Sequence, residues 1–416
     1  MTRPVRRLTV TALLLGLAAL LTGVMGVATA RGALGQPDPL SFAPPSEVAL
    51  GHYSRAMVAG RFNGGPRVDL AIVKVTPAHA TATTATIVRR VSARSFLAHT
   101  MGIPAFSAAV AGADLNGNGK LDLVVGTADN AAHLLANTVS VFPGAGNATF
   151  GARRTSPLGT EWNSATPLLL GDVNANHRTD LVTASRHKLI VLLGHGDGTF
   201  AARRMYVIDT AGWVHTLALA DVNGDGKLDV VAGSWQYLGG STPSGAISVL
   251  LGDGHGAFGP AVTTTTGDLL PTGLAVADLN RDGKRDLVVN DDVDLVDYGG
   301  GANHAAIVTY AGDGAGTFTQ TNEYDLPELG NGALVLRDMD GDGIRDAVVV
   351  LNSGFDVLPG DGAGGFEPPA TFPHAHWTGA ATLAVADYNG DGRPDVAVDD
   401  LKTLSVFVNT STISAP

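Results

Sequence analysis

Asp221-Val-Asn-Gly-Asp-Gly-Lys-Leu-Asp229 is the stretch that decides the fold of this chain. It places oxygen-bearing side chains at positions 1, 3, 5 and 9 of nine residues, with glycine at positions 4 and 6. Calcium takes about six to eight oxygen ligands, and so tight a loop can supply them only where glycine relieves the turn. The stretch therefore predicts a calcium loop.

Five near-copies repeat this pattern, and each loop is named below by its first residue. They read Asp114-Leu-Asn-Gly-Asn-Gly-Lys-Leu-Asp122, Asp172-Val-Asn-Ala-Asn-His-Arg-Thr-Asp180, Asp278-Leu-Asn-Arg-Asp-Gly-Lys-Arg-Asp286, Asp338-Met-Asp-Gly-Asp-Gly-Ile-Arg-Asp346 and Asp387-Tyr-Asn-Gly-Asp-Gly-Arg-Pro-Asp395. Six copies in register make a much stronger case for metal than one. The predicted side-chain ligands are Asp114, Asn116, Asn118, Asp122, Asp172, Asn174, Asn176, Asp180, Asp221, Asn223, Asp225, Asp229, Asp278, Asn280, Asp282, Asp286, Asp338, Asp340, Asp342, Asp346, Asp387, Asn389, Asp391 and Asp395.

The segments around each loop predict short β-strands. Around the Asp221 loop, Leu217–Ala220 precedes it, Val230–Ala232 follows it, and Ile247–Leu251 runs into a Gly-Asp-Gly turn that ends in Phe258. A Thr- and Val-rich fourth strand comes next. The first residues of successive loops are 58, 49, 57, 60 and 49 residues apart. Four short strands repeated about every fifty residues are typical of a propeller blade.

A seventh, degenerate copy lies upstream at Arg61-Phe-Asn-Gly-Gly-Pro-Arg-Val-Asp69. It keeps the final Asp and the strand that follows. It has Arg at position 1 and Gly at position 5, so this loop is predicted to hold no metal. Seven copies predict seven blades.

The two ends of the repeat region predict how the ring closes. The last copy has only three strands and ends at Leu404–Val408. Near the N-terminus, Phe42-Ala-Pro-Pro-Ser46 matches Phe366-Glu-Pro-Pro-Ala370, which opens the fourth strand of the sixth copy. We therefore expect residues 42–50 to complete the last blade, which leaves no inner edge exposed. The predicted fold is an all-β, seven-bladed propeller of four-stranded blades, closed by this N-terminal strand.

The loops and turns together resemble the FG-GAP/VCBS repeat family, which includes the propeller of integrin alpha chains and many secreted bacterial proteins. The resemblance covers roughly residues 42–410 and implies calcium between the first and second strands of several blades. It adds a backbone carbonyl ligand at position 7, which here is Lys120, Arg178, Lys227, Lys284, Ile344 or Arg393. The Asp172 loop departs from the pattern, because Ala175 and His177 replace glycine. We expect about six calcium ions, in blades 2 to 7, with the Asp172 loop the weakest site.

Composition and the N-terminus indicate an exported protein. The chain has 416 residues, no cysteine, and charged residues at only 16%. Arg3, Arg6 and Arg7 precede an apolar run over 8–27, and Ala28-Thr29-Ala30 fits a cleavage site. We therefore predict a signal peptide over 1–30, a linker over 31–41 and the propeller over 42–412. An uncleaved membrane anchor is the alternative for the first segment. Export means secreted, periplasmic or at the cell surface, where calcium is plentiful.

The net charge agrees with metal binding. It is −12, and it becomes −15 without the three leader arginines. Six calcium ions would bring it to −3, so the acidity needs no basic partner. It argues against nucleic acid, whose partners are basic. We expect a monomer with no membrane span once the leader is removed.

The aromatic residues predict a binding face. All four tryptophans fall in loops opposite the metal loops, with histidine or tyrosine nearby. Loops on a rigid scaffold often carry binding residues, and aromatic rings suit sugars or a protein partner. The candidate ligand-binding residues are Trp162, Trp213, His215, Trp235, Tyr237, His376 and Trp377. The competing interpretation is that these rings pack between blades.

Three functions remain open at this point. The leading hypothesis is a binding or adhesion module for a glycan or an extracellular protein. The second is a carbohydrate-active lyase or hydrolase with its site among the Trp and His loops. The third is a scaffold without a small ligand. No nucleophile elbow, zinc-protease helix or phosphate loop is present in the sequence, so we name no catalytic residue and lean against an enzyme.

Overall fold

The chain folds entirely as β-structure in the part that the computed structural model describes. That part comprises residues 40–51, 53–75, 83–90, 96–105, 107–127, 137–159, 167–208, 212–236, 244–293, 304–374, 382–399 and 402–412. Its strands are β1 (Ser46–Ala49), β2 (Tyr53–Gly60), β3 (Asp69–Val75), β4 (Thr83–Arg90), β5 (Phe96–Ile103), β6 (Ser107–Ala113), β7 (Asp122–Thr127), β8 (Asn137–Phe142), β9 (Arg154–Gly159), β10 (Leu169–Gly171), β11 (Asp180–Ser185), β12 (Lys188–Leu192), β13 (Arg204–Val207), β14 (Trp213–Ala220), β15 (Asp229–Gln236), β16 (Ser244–Leu250), β17 (Val262–Gly267), β18 (Pro271–Ala277), β19 (Asp286–Val293), β20 (His304–Gly312), β21 (Phe318–Asp325), β22 (Gly330–Arg337), β23 (Asp346–Leu351), β24 (Gly354–Leu358), β25 (Ala370–Pro373), β26 (Leu383–Ala386), β27 (Asp395–Asp399) and β28 (Thr403–Phe407).

These strands form seven four-stranded antiparallel sheets, as predicted. Blades 1 to 6 are β2–β5, β6–β9, β10–β13, β14–β17, β18–β21 and β22–β25, and blade 7 is β26, β27, β28 and β1. The first strands of successive blades contact one another around the ring, and β26 of blade 7 contacts β2 of blade 1. The sequence prediction of a closed, seven-bladed propeller is confirmed.

The hydrophobic core lies between neighbouring blades. The second strands β7, β11 and β23 are buried along their whole length, because both of their faces pack against other blades. Phe258, Phe318 and Phe366 each end the turn between the third and fourth strands and are buried. These phenylalanines recur at equivalent positions and belong to the blade core.

The ring is closed by the N-terminal strand β1. It pairs antiparallel with β28, with Ser46 opposite Val406. Phe42 forms an isolated bridge with Asn409, as Phe366 does with Gly360 at the same place in blade 6. The match between the Phe42 and Phe366 segments therefore predicted the correct strand and the correct role for the ring.

The predicted signal peptide lies outside the described residues, as does most of the linker that follows it. Within the described part, no helix is long and apolar enough to cross a membrane.

Candidate functional site

The six predicted metal loops share one backbone conformation. In every loop, positions 4 and 6 have a positive φ, between 55° and 87°. Three of these twelve positions are not glycine: Ala175, His177 and Arg281. A left-handed conformation costs an L-residue about 1–2 kcal/mol, so the rest of the loop must outweigh that cost. The expected strain at His177 is present, and the Asp172 loop nevertheless folds like the others.

The first residue of each loop orders the turn from within. The Asp338 carboxylate accepts hydrogen bonds from the amides of Gly341 at 2.7 Å and Gly343 at 2.9 Å. Asp172 accepts similar bonds from the amides at positions 5 and 6, Asn176 at 3.1 Å and His177 at 2.6 Å. These bonds turn the position 1 carboxylate toward the inside of the loop. The backbone of the loop therefore helps to gather oxygen atoms on its inner side.

The last residue of each loop is buried and has a structural role that the sequence did not reveal. Asp229 accepts one hydrogen bond from the Val222 amide at 2.9 Å and another from the Gly252 amide at 2.8 Å. All six position 9 carboxylates make this pair of bonds, at 2.7–3.0 Å. A carboxylate offers about four lone-pair sites, so about two remain for a metal on Asp229, Asp286, Asp346 and Asp395. Asp122 and Asp180 also accept hydrogen bonds from the side chains of Asn116 and Asn174. Position 9 thus ties the loop to the third strand and can still bind a cation.

The Asp338 loop holds the most compact group of carboxylates in the described part of the chain. Ligand oxygens of Asp338, Asp340 and Asp346 all lie within 4.8 Å of one another. Oxygens bound to calcium at about 2.3–2.6 Å lie no more than roughly 5 Å apart, so these three fit one ion. Asp342 supplies a fourth carboxylate at position 5. The residues present therefore match the chemistry of a calcium site.

The residue at position 7 distinguishes the loops electrostatically. In the Asp221 loop, the Lys227 ammonium lies 3.3 Å from the Asp225 carboxylate. In the Asp387 loop, Arg393 forms an ion pair with Asp391. The Asp338 loop has apolar Ile344 at this position, and the two arginines that flank the loop, Arg337 and Arg345, form no ion pair with its four carboxylates in the described part of the chain. This loop has the largest repulsion for a cation to relieve.

Four of the loops, the Arg61, Asp114, Asp172 and Asp338 loops, are also bonded to the next blade. The amides of Ala148, Gly198 and Gly256 donate to the position 2 carbonyl of the preceding blade's loop, at 3.0–3.1 Å. At the closure, the Asn409 side chain donates to the Met339 carbonyl at 2.7 Å. Ordering a loop therefore also steadies the contact between two blades.

Burial raises the pKa of the position 9 carboxyls in the last two blades. The pKa of Asp346 rises to about 7, because burial disfavours its charged form and because Asp340 and Asp342 lie close. The pKa of Asp395 rises to about 6, mainly because the group is buried and also because other carboxylates lie close to it. A cation in these loops would offset both effects.

These pKa values predict how the stability of the metal-free protein depends on pH. Asp346 holds its proton in the folded state up to about pH 7 but loses it near pH 4 in the unfolded chain. The stability that this proton provides is therefore fully present below about pH 4 and is lost progressively as the pH rises from 4 to about 7. Between pH 5 and 7, the free energy of unfolding in chelator should fall by about 2 kcal/mol from this group. Urea unfolding should show a smaller fall for Asp346→Asn, and an equal fall would contradict the assignment.

Two predicted ligand-binding tryptophans lie at the far end of blade 4 from its metal loop. Trp213 opens β14 and pairs with Trp235, while Ala220 pairs with Asp229 at the loop. At about 3.3 Å per residue, Trp213 stands roughly 25 Å from the Asp221 loop. Trp235 lies within β15 rather than after it, because this hairpin extends further than its apolar segment predicts. Trp213 is 44% exposed, and Trp235 is half-buried.

His215 is placed to support Trp235. The two rings stack with centroids 4.4 Å apart and planes inclined by 14°. The Nε2 atom of His215 is buried and has no hydrogen-bond partner among the described residues. Burial lowers the pKa of His215 to about 4, so the ring is neutral at physiological pH. This neutral ring packs against Trp235 rather than presenting a donor at the surface.

Arg186 completes the surface around Trp213, and sequence analysis missed it. Its guanidinium carbon lies 5.7 Å from the centre of the Trp213 ring. It occupies the hairpin between β11 and β12 of blade 3, with φ of 52°, and its carbonyl accepts a hydrogen bond from Val214 at 2.7 Å. Arg186 could have been found from the sequence because it lies in a loop that faces the start of the next blade. Trp162, Tyr237, His376 and Trp377 lie outside the described residues.

Both the repeats and the fold of this chain are similar to those of known proteins. A family model for the FG-GAP-like repeat matches residues 114–183, 172–232 and 338–398. No curated protein matches the chain significantly. A solved Agrocybe aegerita lectin, described as specifically recognising non-reducing terminal N-acetylglucosamine, is 18% identical, with 87% of each chain covered and a TM-score of 0.50.

A Photorhabdus luminescens Tc holotoxin pore is 14% identical, with a TM-score of 0.35. It matches over 92% of this chain and 20% of its own. The repeat matches and the ring of seven four-stranded blades together make this chain an FG-GAP-repeat β-propeller.

Proposed function

We propose that this chain is a secreted, calcium-stabilised propeller that binds a glycan or an extracellular protein at the Trp213 end of blade 4. The observation that carries this proposal is the exposed indole of Trp213, with the Arg186 guanidinium against its ring. A large aromatic side chain in a domain this well packed is ordinarily buried. An exposed one beside a cation, on a rigid hairpin, offers a flat apolar surface with a polar edge.

The scaffold does not require an aromatic ring at this place. Residues that open the first strand of other blades include Ser107, Leu169, Pro271 and Leu383, and only blade 1 also opens with an aromatic residue, Tyr53. Trp213 also contributes to none of the hydrophobic clusters between blades, although Val214 and Leu217 of the same strand do. Packing between blades therefore does not explain why a tryptophan occupies this position, whereas ligand binding would explain it.

Calcium has a supporting part in this proposal. The loops lie at the opposite end of the blade, so a bound cation would stabilise the propeller without touching the ligand. The acidic residues of the loops have a structural use in every blade, and we assign none of them to catalysis. The lectin of the same fold is a precedent for sugar recognition, and N-acetylglucosamine is the first probe to use.

Trp213→Ala should abolish binding of the glycan or protein recognised by the wild-type chain. Because Trp213 lies outside the hydrophobic clusters, melting in calcium should change by no more than a few degrees. A glycan-array screen followed by calorimetry on the hit gives the readout. Val262→Ala is a matched control, since Val262 is an exposed apolar residue on the outer strand of the same blade, 60% exposed.

Two results would contradict this proposal. Unchanged binding in Trp213→Ala would move the ligand elsewhere. A loss of about 3–5 kcal/mol in stability would show that Trp213 is a core aromatic instead. Iodide quenching of the native fluorescence tests the exposure of the tryptophans before any ligand is known.

A further inference from the structure

A pocket lined by three arginines lies between the metal loops of blades 6 and 7. Its volume is about 370 Å³, and its lining includes Arg337, Arg345 and Arg393 together with Asp338 and Met339. A cavity of about 300 Å³ or more accommodates a small ligand. Three guanidinium groups around one cavity are unexpected in a chain whose net charge is −12.

Two of these arginines occupy positions at which the other repeats mostly have uncharged residues. Arg337 directly precedes its loop, and Arg345 occupies position 8. The residues that directly precede the other five metal loops are small: Ala113, Gly171, Ala220, Ala277 and Ala386. Their residues at position 8 are Leu121, Thr179, Leu228, Arg285 and Pro394. The blade therefore does not need a cation at either position, and blade 6 alone has one at both.

The three side chains are disposed to receive a negatively charged group. Arg337 and Arg345 are exposed and form no ion pair in the described part of the chain. Arg393 is held in one orientation, because it bonds the Asp391 carboxylate and donates to the Ser411 carbonyl at 3.0 Å. Five N–H donors belong to each guanidinium, so most of the donors around this pocket have no protein acceptor.

The one acidic residue in the lining does not occupy these donors. Asp338 turns both carboxylate oxygens toward its own loop, onto the amides of Gly341 and Gly343. Its oxygens are thus hydrogen-bonded to the loop rather than to the arginines of the pocket. Arginine forks match the paired oxygens of carboxylate, phosphate and sulfate groups, often with two parallel bonds.

We propose that this pocket binds an oxyanion, the carboxylate, sulfate or phosphate group of a ligand no larger than a monosaccharide derivative. The guanidinium groups of Arg337 and Arg345 supply the free donors, and the anchored Arg393 forms one wall. This site lies at the end of the propeller opposite Trp213 and does not depend on the binding proposed there.

The test is calorimetric titration of the full chain with inorganic phosphate, sulfate, glucuronate and, as the uncharged control, glucose. Arg337→Ala and Arg345→Leu install residues that other blades carry at the same positions, so both variants should fold. Each should weaken oxyanion binding at least tenfold. Arg285→Leu is the matched control, because Arg285 is the position 8 arginine of blade 5 and does not line the pocket. Trp213→Ala should also leave oxyanion binding unchanged.

The probes distinguish the sources of the oxyanion. Binding of glucuronate alone would indicate a sugar acid, and binding of phosphate or sulfate a tetrahedral group. Either result, lost in the two pocket variants and kept in Arg285→Leu, supports the site. The proposal is overturned if no oxyanion binds saturably, if glucose binds as tightly as glucuronate, or if Arg285→Leu weakens binding as much as Arg337→Ala. Melting curves in calcium verify that each variant is folded.

Discussion

Metal-free protein should melt below the calcium-saturated protein by on the order of 10 °C or more. Calcium binds the folded loops far better than the unfolded chain, and each site at one hundred times its Kd adds about 2.7 kcal/mol. The six loops bring carboxylates together, and several loops also hold the next blade by a hydrogen bond to the position 2 carbonyl. Loss of the cation should therefore loosen the contacts between blades as well as the loops.

The contribution of individual loops can be separated with two variants. Asp346→Ala and Asp180→Ala each remove the acceptor for two backbone amides, so they share the metal-independent loss of stability. The Asp338 loop has four carboxylates and the Asp172 loop has two. Asp346→Ala should therefore lose more calcium-dependent stabilisation than Asp180→Ala.

Calorimetry and metal analysis of chelated and refilled protein measure these effects. We expect about six ions per chain, with the Asp172 loop the weakest site and the Arg61 loop empty. A stoichiometry of one or two ions, or superimposable melting curves in calcium and in chelator, would refute the assignment.

Gly312→Ala should cost about 3–5 kcal/mol of stability. The added Cβ would lie 1.9 Å from the Arg285 carbonyl oxygen, so the backbone itself must move. That movement also disturbs the hydrogen bond, 3.0 Å long, from the Gly312 amide to the buried Asp286 carboxylate. Overpacking costs about 1–3 kcal/mol, and an unsatisfied buried group costs a similar amount.

Gly102→Ala is the control for this substitution. A Cβ at Gly102 meets no atom within 4 Å, and the φ of this residue is not positive. Its effect should stay within about 1 kcal/mol. Chemical unfolding of both variants in calcium gives the comparison, and equal stabilities would show that the close approach at Gly312 is unimportant.

The sequence predicted the architecture well because the repeat carries its own boundaries. Each loop marks the turn between a first and a second strand, so counting loops counts blades. The Phe42 segment predicted the closing strand because it resembles the Phe366 segment, which has the same neighbours in blade 6. In these cases, the local sequence pattern is enough to identify the place of a segment in the fold.

Features that depend on contacts between distant segments could not be predicted. The two bonds of the Asp229 carboxylate require the Gly252 amide, which comes from another strand. Similarly, Arg186 reaches Trp213 only because blades 3 and 4 are adjacent. Asp291 begins an acidic stretch over 291–297, a composition that is typical of a solvated loop. It is buried in β19 and accepts a hydrogen bond from the Leu270 amide at 2.9 Å, because that strand extends further than its apolar residues.

The pairing of β1 with β28 has a consequence for how the molecule forms during synthesis. The ribosome makes β1 first, yet its partner emerges only after every other blade has been made. Until then, β28 does not exist and the segment that becomes β1 has no edge to join. Blades 1 to 6 can assemble from contiguous chain as they appear, but the last blade cannot. Contacts between segments so distant in sequence slow folding, so ring closure is expected to be the late step that completes the native protein.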